Sequence, residues 1–242
     1  MSSSLTDGAR YVLIGLRWLP RHGLRGFVVI PLLINTLLFS VGIWWSTGQL
    51  DRLDQSLASW LPSWLAWLHW LLWPLFILAM LVVVFYTFSV VANVIAAPFN
   101  GLLAERVKKI ANPTSAPPPR AGVDWKELVL SPLTELNKLL YFIGWAIPLL
   151  VVSFIPVINV VAPLLWVLFG AWMLALEYSD YPLGNRGLSF RDQRRLLRKR
   201  WPLTLSFGGM TLLLTLIPVL NFLAMPSAVI GATLMWLQEM PE

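Results

Sequence analysis

The stretch LAWLHWLLWPLFILAMLVVVFYTFSVVANVIAA, residues 65–97, decides the fold. It contains no Asp, Glu, Lys or Arg, and its one histidine, His69, stands near its start. As a helix, its 33 residues would run about 50 Å at ~1.5 Å per residue. The hydrocarbon core of a bilayer is only about 30 Å thick. The segment is therefore expected to span a membrane with turns to spare, tilting or leaving the bilayer as a continuous stalk. Asn93, Ala96 and Pro98 place the start of that stalk at its end.

The whole chain agrees with this reading. Of its 242 residues 57% are hydrophobic and 14 are Trp, with a mean hydropathy of +0.70. A water-soluble domain of this size would expose too much apolar surface. Only helices and closed barrels satisfy their backbone in lipid, and the ten-residue alternation of a barrel strand is missing. The class is an all-α integral membrane protein forming one membrane domain over 1–242. The absence of Cys excludes disulfides, thiolate metal sites and Cys nucleophiles. A net charge of +6 does not point to nucleic acid, because cytoplasmic loops of membrane proteins are basic in any case. Residues 1–20 lack the apolar core of a cleavable signal, so the first spanning helix is expected to act as the targeting element.

In chain order, Leu5, Ala9, Val12, Leu13 and Leu16 share one helical face, and Arg10, Arg17 and Arg21 another. Residues 5–20 thus read as an amphipathic helix on the membrane surface. A first spanning helix follows over 26–45, with Pro31 expected to break or kink it and Asn35 polar within it. Residues 46–63 read as a loop, and 65–97 return the chain. The region 98–138 is a polar helical region interrupted by a flexible linker, ANPTSAPPPRAG at 111–122. Asp124 caps the helix after it, with Glu127 three residues on and Pro132 as a kink.

Two apolar stretches, 139–176 and 203–237, contain a repeat: Ile155-Pro-Val-Ile-Asn159 matches Ile217-Pro-Val-Leu-Asn221. Pro and Asn form a turn in the middle of each. The arms, roughly 15–18 residues, fall short of the ~20 needed to span. Each stretch reads as a half-penetrating, re-entrant hairpin; four thin spanning helices are the alternative. Between them lies a basic loop, 177–202, with seven Lys/Arg against three acids. A basic cluster there anchors lipid and orients the chain. Seventeen of the 18 Lys/Arg lie in the N-terminal segment, 98–138 and 177–202; Arg52 is the exception. Cytoplasmic termini and hairpins entering from the cytoplasm follow.

No catalytic motif and no phosphate or dinucleotide loop is present, so no enzyme, metal or cofactor is expected. The best candidate site is Gly23-Leu24-Arg25, just before the first spanning helix. Free N–H groups and the helix dipole favour an anion there. The glycines let the backbone approach closely, and Arg25 offers a planar donor fork. Arg21 and His22 add positive potential. The same residues also suit the simpler role of positive-inside charges.

These residues carry a resemblance. Gly23-Leu24-Arg25, Ala97-Pro98-Phe99-Asn100 with Leu103-Ala104-Glu105, and Glu177-Tyr-Ser-Asp-Tyr-Pro182 with Asn185, Gly187, Phe190 and Arg194 make the chain similar, over nearly its whole length, to the CysZ family of bacterial sulfate permeases. The resemblance implies sulfate uptake across the inner membrane for cysteine synthesis, two long spanning helices, two half-penetrating hairpins and a homo-oligomer. It implies a sulfate site at Gly23, Leu24 and Arg25. Gly26 stands where some relatives carry a second basic residue. On this reading Asn35 and Asn93 supply neutral donors to a pore, with Asn100 beside it, and Glu105, Arg106 and Lys109 form a charged gate; helix–helix hydrogen bonds are the alternative role for the asparagines. A permease for another oxyanion such as sulfite or thiosulfate, and a non-transporting membrane scaffold, are the competing readings.

Overall fold

The computed structural model describes residues 6–60, 66–113 and 125–239. Every regular element among them is helical: α1 (Asp7–Trp18), α2 (Gly26–Trp60), α3 (Ala66–Ala111), α4 (Trp125–Phe154), a 3-10 turn (Ile158–Val161), α5 (Ala162–Gly184), α6 (Phe190–Lys199), α7 (Trp201–Leu216) and α8 (Pro218–Glu239). Four described helical segments are apolar and long enough to cross a membrane: Gly26–Gln49, Glu135–Phe154, Ile158–Gly184 and Leu220–Glu239. The chain divides into two compact units, Val29–Phe99 and a larger one of Met1–Val28 with Asn100–Glu242.

Several boundaries differ from the sequence reading. Residues 46–60 are not a loop, because α2 continues through them to Trp60. Ser46 and Ser56 hydroxyls bond back to the carbonyls of Gly42 and Arg52, which holds polar residues inside a helix. Pro31 lies within α2 without ending it. Helix α3 runs 46 residues unbroken, about 69 Å at ~1.5 Å per residue, with no helix end where the stalk was expected to begin. The linker at 111–122 and the cap at Asp124 fall largely outside the described residues.

Both hairpins have their turns near the expected prolines. In the first, α4 stops at Phe154 and Val157 takes φ +73°, ψ −49°. That is a costly conformation for a β-branched residue. In the second, Ile217 alone is extended and Pro218 opens α8, so Asn221 lies in the helix and not in the turn. A helix accepts Pro at its first position because that N–H has no intrahelical partner. The arms are longer than expected except for α7, at 16 residues.

The larger unit is organised around α8. Ala224, Ser227, Ala228, Gly231 and Ala232 are buried there, and α1 and α7 pack on it. Small residues let helix backbones approach closely, which is how helices associate in lipid. A Cβ on Gly15 of α1 would land on the Ser227 carbonyl, and one on Gly231 would sit 2.7 Å from the Tyr11 carbonyl oxygen. Helix α1 is therefore docked on protein through Gly8, Tyr11, Val12 and Gly15. Of its expected apolar stripe, Val12 is part of that docked face, while Leu13 is 40% exposed. The helix has one face for the bundle and another for its surroundings.

Candidate functional site

The site begins where α1 ends. Arg21 lies over the Trp18 ring, 3.8 Å from its centroid. Residues 21–25 then coil through tight turns into α2. Leu24 N–H donates to the Arg21 carbonyl at 3.1 Å, Phe27 N–H to Leu24 at 3.0 Å and Val28 N–H to Arg25 at 3.1 Å. The expectation of free amides at Leu24 and Arg25 is corrected here, since both are turned onto the Arg21 carbonyl. A 3-10-type turn ahead of the helix has already satisfied them.

The three motif residues play distinct parts. Gly23 has φ +87°, a conformation that glycine adopts at little cost. Leu24 is completely buried and pins the turn to the core. Arg25 and His22 are exposed. A Cβ on Gly23 would meet the Arg106 guanidinium at 3.3 Å from Nη2 and 3.4 Å from Nε. Arg106 of α3 thus lies directly against the Gly23 backbone, two residues from Arg25. The sequence reading put Arg106 in a gate; the fold brings it to the glycine motif. Leu103, Ala104 and Val107 are buried on the other side of that turn of α3, which fixes the direction in which Arg106 emerges.

The other candidate residues are dispersed. Asn100 is buried, and its Nδ2 donates to the Tyr181 hydroxyl at 3.3 Å and to the Met225 sulfur at 3.1 Å. Glu105 and Lys109 are half-exposed. Among the described residues no ion pair joins them to each other or to Arg106. Asn35 is half-buried on α2, and its sealed Oδ1 has no hydrogen-bond partner among the described residues. Asn93 lies in α3, and its side chain is outside those described.

The fold also reveals a brace that the sequence reading did not resolve. Asp180 of α5 accepts from Lys138 of α4 at 2.6 Å and from Gln193 of α6 at 2.7 Å. Lys138 also binds Glu135 at 2.8 Å, and Asn185 Nδ2 donates to the Gly101 carbonyl at 3.0 Å. The acidic Tyr-rich block at 177–182 therefore ties α4 to α6, and through Tyr181 reaches the end of α3. Its signal in the sequence was Lys138 and Asp180 standing at the polar edges of apolar runs. A second tie closes the chain's ends: Tyr11 donates to Gln238 at 3.0 Å and to Glu239 at 3.1 Å. Burial, followed by the Glu239 carboxylate, pushes the Tyr11 hydroxyl up to about 12. No group of three or more His, Asp or Glu side chains among the described residues is placed to hold a metal ion.

The family model described as Sulfate transporter CysZ/Etoposide-induced protein 2.4 matches residues 11–226. The chain is 45% identical to the sulfate transporter CysZ of Pseudomonas fluorescens (strain Pf0-1) over 244 residues, 99% of this chain and 96% of that protein. It is 46% identical to the sulfate transporter CysZ of Pseudomonas paraeruginosa (strain DSM 24068 / PA7) over 241 residues, 98% of this chain and 96% of that one.

Proposed function

The chain belongs to the CysZ/etoposide-induced protein 2.4 family, and from that membership we propose that it is a permease carrying sulfate across the bacterial inner membrane for cysteine synthesis. It transports its anion and does no chemistry on it. The observation that carries the reading to particular residues is the pairing of Gly23 with Arg106 beside the exposed Arg25. Sulfate is doubly charged and strongly hydrated, so a path for it must replace water with donors and offset charge. Two guanidinium forks at one backbone turn suit its oxygens.

In this proposal Gly23, Leu24 and Arg25 collect the anion, and Arg106 completes the site. Glu105 and Lys109 form the charged exit, and Asn35 and Asn93 are neutral donors of the path. Asn100 holds the end of α3, since its amide is taken up by Tyr181 and Met225. The protein works as a homo-oligomer. Asn35 supports that part, because a sealed carbonyl oxygen in an apolar helix calls for a donor from a partner or from water.

The hairpins are proposed to half-penetrate the bilayer from the cytoplasm. Their tips support this: Phe154 is 78%, Val157 86% and Val160 79% exposed, and Leu216 and Phe222 are bare as well. A turn delivered to water on the far side would be polar. Single cysteines at Asn159 should resist impermeant thiol reagents from the periplasm. Ready labelling there means full crossings.

Uptake of labelled sulfate into protein-only vesicles tests transport, and a scaffold would give none. Competition by sulfite, thiosulfate and phosphate identifies the anion. A charge-assisted hydrogen bond is worth about 1.5–3 kcal/mol. Arg25→Ala should therefore weaken sulfate binding roughly 10- to 150-fold, at 1.4 kcal/mol per decade. Arg25→Lys should recover part, keeping charge without the fork. Arg17→Ala controls for surface charge; equal losses from the two alanine variants would reduce the site to a diffuse basic surface.

A further inference from the structure

Helix α6 reads RDQRRLLRK after Phe190, and the fold gives it a capped start: Ser189 Oγ accepts from the Asp192 N–H at 3.3 Å. It buries Phe190, Gln193 and Leu197. Its arginines then turn toward a cleft of about 730 Å³ between α4, α5, α6 and α7. Arg191, Arg194, Arg195 and Arg198 line one end of it. Among the described residues no carboxylate lines it: the acid on α6, Asp192, sits 3.8 Å from Arg195, and Asp180 is engaged by Lys138 and Gln193. Among the described residues Arg191, Arg194 and Arg198 have no ion-pair partner.

Arg194 is held in place. Its guanidinium lies 4.4 Å from the Tyr141 ring centroid and 4.9 Å from that of Phe190, and its buried Nε–H has no acceptor among the described residues. Tyr141 is itself fixed, since its hydroxyl accepts from Trp172 Nε1 at 3.0 Å. The opposite wall is apolar, made of Trp145, Leu149, Leu165 and Leu168. From Tyr141 to Leu149 the cleft follows α4 for about 12 Å at ~1.5 Å per residue. These are helices apolar enough to cross a bilayer, and Trp145 and Leu168 are bare in the fold.

We infer that this cleft binds an anionic glycerophospholipid, its phosphodiester held by Arg191, Arg194 and Arg198 and an acyl chain laid along Trp145, Leu165 and Leu168. The charge selects an anion, because an unpaired arginine cluster beside hydrocarbon gains most from a phosphate. The wall selects an amphiphile, because a free anion gains nothing from indole and leucine. The volume lies in the range of ordinary ligand sites, about 300–1,000 Å³. The lining includes neither Arg25 nor Arg106, so the inference stands apart from the sulfate reading.

The test is lipid binding to the full chain in neutral detergent, read by native mass spectrometry. Dioleoyl-phosphatidylglycerol should bind at least tenfold more tightly than dioleoyl-phosphatidylcholine. Arg191→Gln with Arg198→Gln, both exposed and so tolerated by the fold, should remove about 30-fold of that affinity, taking roughly 1 kcal/mol per charge near a membrane surface and 1.4 per decade. Arg194→Gln should lose a similar amount, with thermal unfolding as the check on its folding. Arg10→Gln with Arg17→Gln should lose less than threefold; an equal loss would mean general attraction to basic surface and would overturn the site. Trp145→Ala should weaken the long-chain lipid but not glycerophosphoglycerol. Displacement of the lipid by millimolar sulfate or phosphate would make this a free-anion site. Loss of lipid binding on self-association would give the cleft to a second copy. Either result sinks the proposal.

Discussion

The apolar windows of α2 and α8 have mean hydropathies of 2.2 and 1.6, yet 6% of the first is buried against 67% of the second. Side-chain size separates them. Helix α8 buries Ala224, Ser227, Ala228, Gly231, Ala232 and Thr233 among larger residues such as Ile230 and Met235, and at the small ones its neighbours come up to its backbone. Helix α2 presents Leu33, Leu37, Ile43 and Trp44, all more than half exposed. Hydropathy reports that a helix avoids water; it does not report whether lipid or protein takes the place of that water. In lipid there is little hydrophobic drive between helices, so close packing decides.

The largest effect that would break this contrast is a β-branched residue on the packed face. Gly231→Val should destabilise the protein by about 3 kcal/mol or more, because Tyr11 backbone cannot yield as a side chain can. Gly48→Val on α2, with no atom of the described residues within 4 Å of the added Cβ, should leave thermal stability in detergent nearly unchanged. Equal losses would mean that α2 is packed as tightly as α8. Next comes Lys138→Met, which removes the counter-charge of Asp180 and leaves it Gln193 as a neutral donor. Breaking a buried pair costs about 3–5 kcal/mol, and we expect roughly 2–4 here because water reaches part of it. An unfolding midpoint within error of the parent would show that the brace is idle.

Smaller still is Asn35→Leu. If a partner chain supplies its donor, the oligomer should weaken by about 0.6–1.7 kcal/mol, measurable by dissociation on dilution in detergent. A tighter oligomer would mean that no donor reaches it. The smallest is Leu33→Ala on the bare face of α2, expected within about 0.5 kcal/mol in detergent. A larger loss would sharpen the comparison by exposing a contact on that face.

The same contrast explains what could be read in advance. The helical class, the long α3, the proline turn after Phe154 and the glycine motif before α2 were legible because each is written locally. Charge-free length, a Pro or a Gly-x-Arg needs no partner to be recognised. Residues 46–60 were misread because polar side chains after an apolar run look like a loop, while Ser hydroxyls bonded one turn back keep the helix going. Helix α6 was missed inside a basic loop, although Ser189 with Asp192 three residues on is a start signal. The placement of Arg106 against Gly23 was not legible: 83 residues separate them in the sequence, and they meet where Leu24 and Leu103 enter the same core. On α1 the apolar stripe drew the eye, while the bundle took only Val12 from it, together with Gly8, Tyr11 and Gly15.

The docking of α1 on α8 also sets an order of events during synthesis. Tyr11 and Gln238 are 227 residues apart. At about 5–20 residues per second, the first helix waits roughly 10–45 s after it is made before its binding surface is complete. Gly8 gains its partner when α7 is made, but until α8 follows, Tyr11 and Gly15 have no protein to rest on. A ribosome that stops before the last helix therefore releases a chain whose opening helix lacks its α8 partner, which offers quality-control proteases a test of completeness at the amino end.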